Sequence, residues 1–131
     1  MYDRAQTEAL LDADGWARNL GIYVSTVTAE SLTLALQLGP QHLNFLQGGH
    51  GGAVFSLAES AVAAAAAQRG PDPVLLDGHL VLTSGGREGD VFSATVSDVK
   101  VGRSLGVFQV TVAGDDGRPI GQMTATMRFG Q

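Results

Sequence analysis

No cysteine occurs anywhere in the 131-residue sequence, which removes disulfides and thiolate metal ligation together. Basic side chains are scarce as well: eight Lys and Arg stand against thirteen Asp and Glu, for a formal net charge of −5. Binding to a nucleic-acid backbone needs a basic face, so no nucleic-acid partner is expected. Long apolar runs are also missing. The one Ala-rich stretch is interrupted by Glu59 and built of small side chains, so no membrane span is expected. The opening MYDRAQTEALLDADGW carries acids where a leader would need a basic and then an apolar run. With the lack of cysteine, this suits a cytoplasmic setting.

What is present suits one globular domain over residues 1–131, with 44% hydrophobic and 16% charged residues and no linker or repeat dividing it. Residues 2–18 read as an N-terminal helix ended near Gly21. Two strands follow with a turn at Ala29–Glu30; in the second, Leu32, Leu34, Leu36 and Leu38 alternate with Thr33, Ala35 and Gln37. A central helix runs from Gly51 or Gly52 to Gln68, apolar on all sides, with Gly70 as its stop. Strands are expected at 74–82, 91–101, 104–113 and 120–129, with a slip of phase near Asp98 that marks a bulge. An all-round apolar helix needs a wrapper. The pattern therefore predicts an α+β fold in which a curved antiparallel sheet of five or six strands wraps a long helix. Apolar surface left open on so small a sheet predicts self-association.

The stretch HLNFLQGGHGGAVFSLAESAVAAAAA, residues 42–67, holds the chemistry. Its only charge is Glu59. In mid-helix this carboxylate is a solvated residue, one half of an ion pair, or a catalytic carboxylate perturbed by burial. The glycine cluster before it fails both phosphate-loop tests: no Lys follows it, and Val54 stands where a dinucleotide fingerprint has its third glycine. It does sit at a helix N-terminus, where free amides can bind developing negative charge. His42, His50 and His79 have no metal-ligand spacing and no G-x-S-x-G elbow occurs, so neither a metal site nor a serine triad is expected. Ser56 and Ser60 read as local helix hydroxyls.

HLNFLQGGHGG followed by AVFSLAESAVAAAA, with DVKVGRSLGVFQVTV and DDGRPIGQMTATMRF further on, resembles the hotdog-fold acyl-CoA thioesterases of the phenylacetate-pathway (PaaI-like) type. The resemblance implies a hydrolase of small or aromatic acyl-CoA esters, with CoA as part of the substrate, no separate cofactor and no metal. It implies Glu59 as general base or nucleophile, the Gly51 amide as oxyanion donor, and Asn44 as the side chain that positions water or substrate. His50 matches the loop histidine that shapes the turn. With His50, the residues Gly52, Ser60 and Ala63 are implied substrate contacts. His79 and Leu82 are implied lining of the acyl pocket, and Lys100, Gly102, Arg103 and Ser104 form the turn that meets CoA, with Arg69 as a further candidate. Three departures stand out: Glu59 where many relatives carry Asp, Gln47 where glycine is common, and Ser104 where a second base is common.

Gly51 and Glu59 lie eight residues apart, ~12 Å along one helix, too far for both to touch one carbonyl. The expectation is therefore a homodimer or homotetramer whose site is shared between chains. Two readings of other classes remain beside it: a non-catalytic acyl-CoA binder, and a hotdog dehydratase, against which the absence of an Asp…Asn-Pro…His arrangement counts.

Overall fold

A computed structural model describes residues 1–130. Six antiparallel strands form one sheet in the order β1-β2-β4-β5-β6-β3: β1 is Tyr23–Val27, β2 Ser31–Gln37, β3 Val74–Leu82, β4 Val91–Val101, β5 Leu105–Gly114 and β6 Pro119–Arg128. The long helix α3, Gly51–Ala67, lies against it. This is the helix-wrapping antiparallel sheet expected from the pattern, and the hotdog fold implied by the resemblance. Alternation within the strands places the core. Leu32, Leu34 and Leu36 of β2, Phe92, Ala94 and Val96 of β4, Phe108, Val110 and Val112 of β5, and Met123, Ala125 and Met127 of β6 are all buried. The other face is polar, as where Thr33 and Thr95 share a hydroxyl hydrogen bond of 2.8 Å across β2 and β4.

Alanine lets the helix approach this surface closely while its high helix propensity keeps the long element regular. Leu57, Ala58, Ala61, Val62, Ala65 and Ala66 are wholly shielded from solvent. The helix is buried on most sides, as its apolar composition predicts, and one face stays open. Phe55, Ser56, Glu59, Ala63 and Ala67 are only part-covered and Gly52 is exposed. Successive spacings of three and four residues gather them into one open stripe along the helix. The helix ends at Ala67, one residue short of the expected end, and Gln68 rather than Gly70 is its C-cap. Gly70 is needed for space: a Cβ there would stand 2.6 Å from the Phe129 ring.

The N-terminal segment forms two helices in place of one. Helix α1, Arg4–Asp12, and α2, Gly15–Leu20, meet at a break where Asp14 takes a non-helical conformation and its side chain accepts from the Ala17 amide. Both pack on α3. At the far end of α3, the Gln68 side chain accepts from the Asp3 amide and donates to Thr7 Oγ1. Beside it, Arg69 Nε donates to Asp98 Oδ2 at 2.8 Å, the guanidinium lies 3.6 Å from the centre of the Tyr2 ring, and the Tyr2 hydroxyl donates to the other Asp98 oxygen. Burial, and then the Asp98 carboxylate, push the Tyr2 phenol up, so it remains a donor. The phase slip near Asp98 is a bulge: Asp98 pairs with Phe108 and Lys100 with Val107, leaving Val99 unpaired.

This clamp holds α1 in place, and it can be weighed by unfolding in urea. Tyr2→Phe keeps the ring on Arg69 and loses the hydroxyl bond, an expected cost of about 1 kcal/mol. Tyr2→Ala also loses the buried ring, an expected cost of about 3 kcal/mol.

Candidate active site

Helix α3 begins in a loop tied down from three directions. Gly49 donates its amide to Gly86 O, His50 donates its amide to His42 O, and Asn44 donates its amide to Gly48 O. The Asn44 side-chain oxygen accepts from the amides of Leu46 and Gly48 at 2.9 and 3.1 Å. Asn44 therefore organises the loop through its Oδ1, and its Nδ2 is the group left to meet a ligand. Gln47, within the same loop, has φ 64°, the left-handed conformation that glycine adopts without strain.

His50 caps the helix. Its Nδ1 accepts from the Gly52 amide at 2.8 Å, and its carbonyl accepts from the amides of Ala53 and Val54. A side chain on Gly52 would crowd that ring, with a Cβ 2.9 Å from Nδ1. Of the first-turn amides, only Gly51 N–H has no partner among the described residues. A donor at the positive end of a helix dipole, left unused by its own chain, is suited to an anionic oxygen. Leu82 of β3 closes over this point, its Cδ1 3.3 Å from where a Gly51 Cβ would be.

Glu59 lies two turns further along the open stripe. It makes no hydrogen bond or ion pair with any described residue. Desolvation by burial raises its pKa above the ordinary glutamate value, and the negative Asp14 at the start of α2 raises it further. A half-buried carboxylate without a partner works against folding and is the kind of group found at reactive sites. Ser60, one residue on, is fully buried with its hydroxyl unpaired among the described residues. Ala63 extends the open stripe by one turn.

The remaining residues singled out from sequence are spread more widely. His79 follows Gly78, which faces Phe55 of α3, so strand alternation turns His79 to the outer face of the sheet, away from Leu82 and the helix. Lys100, Gly102, Arg103 and Ser104 lie beyond the opposite end of α3, where Ser104 O accepts from the Phe129 amide and Phe129 packs on Gly70. That is ~25 Å from Gly51, the length of the helix. Arg69 is engaged by Asp98 and Tyr2. Among the described residues no group of three His, Asp or Glu side chains could hold a metal. His42 is buried with both ring nitrogens engaged: Nδ1 accepts from the Gly39 amide, so Nε2 carries the proton and donates to Leu20 O at 2.7 Å.

Sequence reasoning missed α2, which packs beside Glu59. Trp16 Nε1 donates to Ser56 Oγ at 2.9 Å, so α2 lies on the helix one turn before Glu59. The signal was available in Asp14-Gly15, a helix start inside what reads as one continuous helix.

A family model described as the thioesterase superfamily matches residues 49–120, more than half of the chain. Among solved structures, the chain is similar to the E. coli PaaI protein from the phenylacetic acid degradation operon, at 24% identity and a TM-score of 0.90, covering 97% of this chain and 92% of that one. It is similar to a mutant of thioesterase PA1618 from Pseudomonas aeruginosa, at 26% identity and a TM-score of 0.87, covering 98% and 94%. A protein of Streptococcus mutans UA159 bound to acetyl-CoA matches at 22% identity and a TM-score of 0.78, covering 84% and 90%.

The raised pKa of Glu59 has a direct consequence for stability. The folded chain holds this proton to higher pH than the unfolded chain, so stability is withdrawn as pH rises from the unfolded carboxylate value through the folded one. Glu59→Gln is expected to melt above the wild type at pH 8, with the gap closing below pH ~4, where both states are protonated. Asp14→Asn keeps the α2 cap and removes the charge; the Glu59 carboxyl titration, followed by carbon-13 NMR, is expected to move to lower pH.

Proposed function

The chain belongs to the thioesterase superfamily and is a thioester hydrolase with a PaaI-like hotdog fold, and from that premise we propose that it cleaves acyl-CoA at a site assembled from two copies of the chain. The free Gly51 amide carries this reading. Attack on a thioester carbonyl places negative charge on its oxygen, and a preorganised N–H at a helix start stabilises that charge where it develops. In the reaction proposed, Glu59 takes a proton from water as the water oxygen bonds to the carbonyl carbon. The oxyanion collapses, the carbon–sulfur bond breaks, and CoA leaves with the proton to give the free acid. Attack by the Glu59 carboxylate itself would pass through an anhydride that water then opens. Solvent oxygen-18 found in the Glu59 carboxyl after a single turnover distinguishes this second route.

Several features support sharing between chains. Gly51 and Glu59 are too far apart along one helix to serve the same carbonyl. The open stripe of α3 and the free edge of β3 adjoin a set of exposed apolar residues: Phe45 at 90% exposure, Leu46 at 75%, and Leu76, Val81 and Leu82 near half. A second copy related by a two-fold axis would cover them. With the two α3 helices antiparallel, one chain's Lys100–Ser104 turn would come near the other's Gly51 end, where CoA phosphates need a cation.

Glu59→Gln is expected to lower kcat by about 100- to 10,000-fold, with KM changed far less. Thiol release from a panel of acyl-CoA esters measures it; activity retained within threefold would overturn the role of Glu59. Co-expressed chains offer a second test. One carries Glu59→Gln and the other Gly51→Pro, which removes the amide proton at a helix position proline tolerates. Mixed dimers are expected to regain up to half of the wild-type sites, and no recovery above either parent would overturn the shared site.

A further inference from the structure

Resting on the thioesterase reading, we propose that α2 supplies the acyl-selecting wall of the site, with Trp16, held by Ser56, as the residue against which the acyl tail packs. A cavity of about 390 Å³ lies between α2, the loop at 41–43 and the first two turns of α3. Trp16, Leu20, Leu43 and Ala53 give it apolar lining, with Ser56 and the polar Gln41, His42 and His50 beside them and Gly52 at its edge. Its volume is in the range of small-molecule pockets.

Its position relates it to the reaction. Gly51 and Ser56 are five residues apart, ~7.5 Å along the helix. A carbonyl held by the Gly51 amide therefore has its acyl side within reach of this cavity, as Gly52 belongs both to the capped turn and to the cavity edge. The walls are fixed at both ends of α2. The Trp16–Ser56 bond ties its first turn to α3, and the His42–Leu20 bond ties its last residue to the loop after β2. Trp16 is nonetheless 61% exposed, so much of the indole is unoccupied by its own chain. An aromatic face pinned by its N–H and otherwise open is suited to an apolar ligand. The cavity selects an apolar acyl group longer than acetyl, because an acetyl group ends before reaching the indole.

Trp16 is the only tryptophan in the chain, so the test has a direct optical readout. In the Glu59→Gln protein, octanoyl-CoA is expected to change the indole emission saturably, and free CoA is not. In the otherwise native enzyme, Trp16→Ala is expected to lower the ratio of kcat/KM for octanoyl-CoA to that for acetyl-CoA by about tenfold. Trp16→Phe, which keeps an aromatic wall, is expected to give an intermediate ratio, and Ser56→Ala, which frees the indole to turn, a smaller fall. An unmoved ratio in the folded Trp16→Phe and Trp16→Ala proteins, or the same emission response to CoA and octanoyl-CoA, overturns the assignment while thiol release by the wild type upholds the thioesterase reading. No thiol release from either ester and no calorimetric binding of them would bring down that reading and this assignment with it.

Discussion

The close seating of α3 on the sheet is the contact on which the rest of the molecule depends. Most of its sheet-facing positions are Ala, with Val54, Leu57 and Val62 filling the gaps, so the helix axis can come near strands β2, β4 and β5. That depth decides where the helix begins. Its first turn arrives beside Gly49 and Gly86, under Leu82, with its amides at the mouth of the site. A bulkier helix would lift this turn away from the loop that caps it. The packing of the helix thus also sets where its first-turn amides stand.

The strands were legible because alternation is strict and turn residues mark their ends. Val74–Leu82 and Val91–Val101 have the boundaries the sequence predicts, and the neighbouring β5 and β6 differ by a residue. The bulge near Asp98 was legible as a break in that alternation. The open stripe on α3 was not, because a helix of Ala, Ser and Gly looks the same whether a face meets protein or solvent. The division of α1 from α2 was hidden by an apolar spacing that carries on across Asp14. For the site, motif resemblance led to Glu59, Gly51 and Asn44. It could not show that His50 would occupy the Gly52 amide and leave Gly51 free. Nor could it show that Arg69 would be taken by Asp98, a residue 29 positions away in sequence.

Several departures from an ideal fold gather in one region. Gln47 takes a left-handed conformation, the Gly51 amide is unused, Glu59 is half-buried without a partner, and Phe45 and Leu46 stand in solvent. Each one alone costs stability, and among the described residues the Ser60 hydroxyl is the buried side-chain group left without a partner. These departures lie at one end and along one face of α3.

The unpaired Val99 in β4 changes what the end of that strand can offer. Phe92, Ala94, Val96 and Asp98 share one face, so the acid follows the core side chains inward and meets Arg69. In an unbroken strand the next residue on that face would be Lys100, bringing an ammonium toward the guanidinium of Arg69 and the ring of Tyr2. The extra residue resets the parity. Val101 takes the inward place against the core and Lys100 is turned to solvent. One added residue thus sorts the charges at this end of the sheet, an anion on the side that meets Arg69 to anchor the N-terminal segment and a cation on the other, free for whatever approaches.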